Sequence, residues 1–69
     1  MAAETKQITL AGARVDAGYT QEKMANSLDV SLPTYKAWEN YKRQMPADKL
    51  SKFSQITGWS MDLIFLDVV

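Results

Sequence analysis

The side chains in this sequence best equipped for chemistry are cations. Lys36, Lys42, Arg43, Lys49 and Lys52 fall within residues 31–52 against only Glu39 and Asp48, a local net charge of +3. Residues 1–30 come to −1 and residues 53–69 to −2, so the 69-residue chain as a whole is neutral. Clustered Lys and Arg hold anions, phosphates above all, because each neutralised phosphate releases condensed counterions. The same cations also satisfy a plainer reading, a solvated face with no ligand. Zero net charge argues against a very tight polyanion binder and for modest affinity. Other chemistry has little to work with. There is no histidine, the commonest general base and zinc ligand, and no cysteine to serve as thiolate or cross-link. Nothing in the spacing of Ser, Asp and Lys suggests an activated nucleophile, and no glycine-rich loop cradles a phosphate. The sequence therefore predicts no enzyme, no metal, no cofactor and no small-molecule substrate.

Helices must position the basic segment. The apolar spacing predicts an all-α fold, a compact bundle of about five short helices in one domain spanning residues 1–69. Thr5 is placed to cap a first helix through Ile8, Leu10, Ala13 and Ala17, with Gly18 ending it in a left-handed conformation. Thr20 caps a second helix whose inner face is Met24, Ala25 and Leu28. Lys23 stands where a capping box would have Glu, so the cap is a simple one. Ser31 caps a third, with Tyr35 and Trp38 facing inward. Pro33 suits a first turn, where the amide it lacks has no intrahelical partner, and it disfavours helical geometry at Leu32. Leu32 is therefore predicted to be the last extended residue. After Pro46, Leu50, Phe53 and Ile56 stripe a fourth helix ended by Gly58, and Ser60 caps a fifth, MDLIFL. With 46% apolar residues the chain can build a small core. No apolar run approaches the roughly 20 residues that span a bilayer. MAAETKQITL lacks the pattern of a signal peptide, so the expected location is cytoplasmic.

Residues 21–40, QEKMANSLDVSLPTYKAWEN, read as helix, tight turn at Asp29, helix. The small Ala25 lies where the two would cross, and Met24, Leu28, Val30, Tyr35 and Trp38 would pack between them. This spacing suits two helices near a right angle, the second exposed on its outer face. Tyr35 and Trp38, three residues apart among apolar neighbours, are read as core rather than as platforms for single-stranded bases. The four methionines are scattered and read as gap fillers.

In this order and spacing the chain resembles the Cro/CI-type helix-turn-helix family of phage repressors and XRE-like bacterial transcriptional regulators. The resemblance runs from about Leu10 to Phe65 and is carried by LAGARVDAGYTQEKMA, LDVS, TYKAWEN and ITGWSMDLIF. It implies a lambda-repressor-like DNA-binding domain, acting in a bacterial cell or a phage-infected host. A recognition helix of about residues 32–41 would lie in the major groove of a double-stranded DNA operator. Gln21 matches a position that holds a phosphate at the start of the second helix. Asn40, Lys42 and Arg43 match the phosphate-gripping loop after the recognition helix. Leu32, Pro33, Thr34, Lys36 and Ala37 match positions that face or flank base edges. Arg14 and Glu39 match an ion pair tying the first helix to the end of the third.

The departures from the family pattern carry information too. Asp29 and Tyr41 stand where glycine is usual, and aspartate tolerates left-handed geometry better than most residues. Leu32, Pro33 and Ala37 carry no hydrogen-bonding group and could only pack against thymine methyls. That apolar face also suits a second reading, in which the fold is a protein-binding module that docks on another repressor protein, Lys36 at its rim. The fifth helix and the tail FLDVV either close the core or form the contact of a homodimer, as a palindromic operator would require.

Overall fold

The structure, a computed structural model, describes residues 7–66. Hydroxyl side chains set the first three helix starts. Thr9, Thr20 and Ser31 are extended, and their side-chain oxygens accept the amides of Gly12, Lys23 and Thr34. These caps open α1 (Leu10–Asp16), α2 (Gln21–Ser27) and α3 (Leu32–Glu39). α4 (Ala47–Thr57) follows Pro46 without a side-chain cap, and a single 3-10 turn, Met61–Leu63, is capped by Ser60.

The helix ends repeat one device. After α1, α2 and α3 the chain turns left-handed at Gly18 (φ 81°), Asp29 (φ 61°) and Tyr41 (φ 58°). In each case that residue's amide donates to the carbonyl three back, on Val15, Asn26 and Trp38. The next amide donates five back, to Arg14, Ala25 and Ala37. This double hydrogen bond satisfies the last carbonyls of each helix and turns the chain sharply.

The stops fold the helices onto a core of Leu10, Ala13, Met24, Ala25, Leu28, Tyr35, Trp38, Met45, Leu50, Phe53 and Ile64. Ala25, almost fully buried, belongs to α2, which packs against α3. The rings of Tyr35 and Trp38 meet edge to face, 6.3 Å apart. Two polar tethers close the outside. Lys49 Nζ on α4 donates to the Leu28 carbonyl at the end of α2 (2.9 Å), where the helix dipole favours a cation. The Trp59 indole donates to Asp16 (3.1 Å).

The all-α class stands, but several expectations are corrected. Thr5 lies outside the described residues, and Thr9 caps α1 instead. Ile8 is not helical: it forms an isolated parallel bridge with Ile64. That bridge also removes the fifth helix. The Ile8 amide takes the Leu63 carbonyl and the Phe65 amide takes the Ile8 carbonyl, so the chain after Leu63 is extended. The described residues thus hold four α-helices and one 3-10 turn rather than five helices. Leu32 is the first helical residue, with Pro33 second. The steric penalty before proline is offset by the Ser31 cap and by packing of Leu32 on the core. The third helix stops at Glu39 rather than residue 41, because Tyr41 has turned left-handed.

Candidate nucleic-acid interface

Glu39 is the hub that aims α3. Its carboxylate accepts from Arg14 Nε (2.5 Å), from the Tyr35 hydroxyl (2.6 Å) and from Gln21 Nε2 (3.0 Å). Arg14 also donates to the Tyr19 carbonyl (2.7 Å), just before α2. One buried carboxylate therefore joins α1, α2 and α3. The pair is well shielded, with side-chain exposures of 14% for Arg14 and 5% for Glu39. Burial alone would raise the Glu39 pKa; hydrogen bonds from Arg14, Tyr35 and Gln21 outweigh it and hold the carboxyl below the usual carboxylate range. Its hydrogen bond in turn raises Arg14 above its ordinary value. Burial, reinforced by Glu39, pushes the Tyr35 phenol far up, which keeps it a donor.

With Tyr35, Trp38 and Glu39 facing in, helical periodicity turns Pro33, Lys36, Ala37 and Asn40 outward. Pro33, Lys36 and Asn40 are exposed and Ala37 is half-buried. Leu32 and Thr34 sit on the flanks of this strip. Leu32 is half-buried and leans on the core, so it does not stand out on the outer face as the sequence suggested. The Thr34 hydroxyl accepts from Ser31 (2.9 Å) and keeps its own proton to donate.

The strip runs on into the loop. Asn40 caps α3, Tyr41 turns the chain, and the exposed Lys42 and Arg43 follow, their amides held by the Ala37 carbonyl at 2.9 and 3.4 Å. Among the described residues Lys36, Lys42 and Arg43 pair with no carboxylate. Lys49, by contrast, spends its charge on the end of α2. Gln21 opens α2 half-buried, with one amide proton on Glu39 and its side-chain oxygen uncommitted among the described residues. The structure thus sets Pro33, Lys36, Ala37 and Asn40 on one outward strip of α3, continues it along the chain with the exposed Lys42 and Arg43, links Gln21 to it through Glu39, and leaves Leu32 at its edge. No ligand-sized cavity opens among the described residues.

Sequence reasoning missed several contacts. The Tyr35–Glu39 hydrogen bond had a usable signal, since residues four apart share a helix face. The bonds from Gln21 to Glu39, from Lys49 to Leu28 and through the Tyr41 hydroxyl join distant segments and have no local signal.

A family model described as helix-turn-helix matches residues 10–64, the span that holds all four helices and the whole strip. No curated protein and no solved structure matches the chain.

Proposed function

The chain belongs to the Cro/CI-type helix-turn-helix family of DNA-binding transcription regulators, and from that premise we propose that it is a sequence-specific regulator of the phage repressor/Cro kind. α3 enters the major groove of a double-stranded operator. Lys42 and Arg43, with Asn40 and Gln21, hold phosphates on either side. Thr34 and Lys36 supply polar base readout, and Ala37 and Pro33 meet thymine methyls. The observation that supports this most directly is the exposed strip from Pro33 to Arg43. Its cations pair with no carboxylate among the described residues, and it is aimed by the buried Glu39 network. The protein works in the cytoplasm of a bacterium or infected host, as a homodimer matched to a palindromic site. Val15 (63% exposed) and Met61 (46%), large apolar side chains open to solvent, are candidates for the dimer contact. Residues 67–69 of the tail lie outside the described residues.

The test uses a duplex selected from a random pool, titrated by fluorescence anisotropy at two salt concentrations with the parent and with Ala37→Glu. The parent should bind with a steep salt slope. Ala37→Glu should stay folded, since glutamate favours helix and the site is partly open, yet lose specific binding because a carboxylate enters a phosphate-walled groove. Unchanged affinity in the folded variant would sink the groove assignment. One observation favours a second reading: Pro33 and Ala37, both on the strip, offer no hydrogen bond to a base. On that reading the strip docks on another repressor protein. It would gain if the parent showed no salt-dependent duplex binding but held a repressor tightly.

A further inference from the structure

Tyr41 occupies a backbone position that glycine would fill without strain, at φ 58°. Its side chain does what glycine could not. The hydroxyl accepts the Leu10 amide (3.1 Å) and donates to the Phe65 carbonyl (2.9 Å), while its ring packs edge-on against Phe65 at 5.5 Å. Both polar groups belong to the segments joined by the Ile8–Ile64 bridge. In a parallel ladder, bonds from the Ile8 amide to Leu63 and from the Phe65 amide to Ile8 would be followed by one from the Leu10 amide to the Phe65 carbonyl. The two groups meet through the Tyr41 hydroxyl, which stands in as that next rung. Leu10 is the first residue of α1, so its amide has no partner within the helix.

We propose that Tyr41 is the positioning residue of the loop carrying Lys42 and Arg43, its hydroxyl rung fixing that loop to the ladder between residues 8–10 and 63–65. The proposal rests on the reading above, in which this loop holds phosphates. If the loop grips phosphate best when the rung is closed, phosphate must tighten the rung to the same degree, because coupling between two sites is reciprocal. The Leu10 amide, remote from Lys42 and Arg43 in sequence, then reports duplex binding.

Tyr41→Phe keeps the ring and the backbone strain and removes only the hydroxyl. Tyr41→Gly relieves the strain and removes the anchor. Both are compared with the parent by amide hydrogen exchange and by duplex titration, well below the melting point of each. In Tyr41→Phe, exchange at Leu10 and Lys42 should quicken and duplex affinity should fall, each by about tenfold or more, since the hydroxyl's two hydrogen bonds are each worth about three- to tenfold. Duplex should slow Leu10 exchange in the parent and leave it unchanged in the variant. Tyr41→Gly should also bind more weakly, although a residue that merely capped α3 would be improved by glycine. Parent-like affinity in folded Tyr41→Phe, or unchanged exchange at Lys42, overturns the proposal. If the parent itself binds no duplex, the functional reading fails by itself, and Lys42 exchange in the free proteins decides whether Tyr41 holds the loop.

Discussion

Among the described residues Glu39 gathers hydrogen bonds from Arg14, Tyr35 and Gln21, and its protonation has a consequence that can be measured. Its folded pKa lies below the unfolded value, which is about 4.3 for an ordinary glutamate. Its contribution is therefore fully present above that value and fades as pH falls through the depressed folded value. Glu39→Gln removes the charge but keeps the shape. It should be less stable than the parent at neutral pH by about 1–3 kcal/mol, since Arg14 is left without a counter-charge. That gap should close at acid pH, where the parent carboxyl is itself neutral. Urea unfolding at a series of pH values checks this, and a gap that stays constant down to pH well below 4 would show that charge is not the cause. Arg14 and Glu39 were legible as a pair only through the family resemblance. That Tyr35 and Gln21 share the same carboxylate was not, because a pairwise reading stops once each charge has found one partner.

The helices are held apart by their stops, and here the sequence was legible where side-chain chemistry acts locally. Thr20, Ser31 and Gly18 announce their roles through residue type alone. The fifth helix was misread because MDLIFL has helical propensity, yet its backbone groups are claimed by Ile8 from the far end of the described chain. Tertiary pairing overrides a short apolar run of this kind. Asp29 offers a test of the stops. It sits left-handed at φ 61° as an exposed residue whose side chain makes no hydrogen bond among the described residues. Asp29→Gly should stabilise the domain by about 0.5 kcal/mol, a rise of roughly 2–4 °C in melting temperature for a chain of this size. A lower melting temperature would mean that the Asp29 side chain contributes something the backbone geometry does not reveal.

As a whole the molecule is neutral, so attraction to DNA must come from how charge is arranged rather than from its sum. Lys42→Ala and Arg43→Ala should each weaken binding about equally on all duplexes and flatten the salt slope by about 0.9 per contact. Salt titrations on a selected and a scrambled duplex check this, and a loss confined to the selected sequence would make these residues base readers instead. The distribution of charge was fully legible in the sequence. Which cations are free was not: Lys49 looks equivalent to Lys42 until the carbonyl of Leu28 is seen at its tip.

The Ile8–Ile64 bridge joins opposite ends of the described chain, and that separation has a kinetic meaning. Closing a long loop costs entropy that short-range contacts avoid, so the neighbouring α2 and α3 can assemble before the bridge exists. The bridge and its Tyr41 rung should then form after the folding barrier. Ile64→Val, expected to remove about 1 kcal/mol, should speed unfolding and leave the folding rate nearly unchanged, whereas Ala25→Gly in α2 should slow folding. Stopped-flow refolding and unfolding in urea would separate the two limbs, and a slowed folding limb for Ile64→Val would place the bridge in the nucleus. If the bridge closes last, it is also among the first contacts to open. The loop that carries Lys42 and Arg43 would then be tied to the segment of the molecule that lets go earliest.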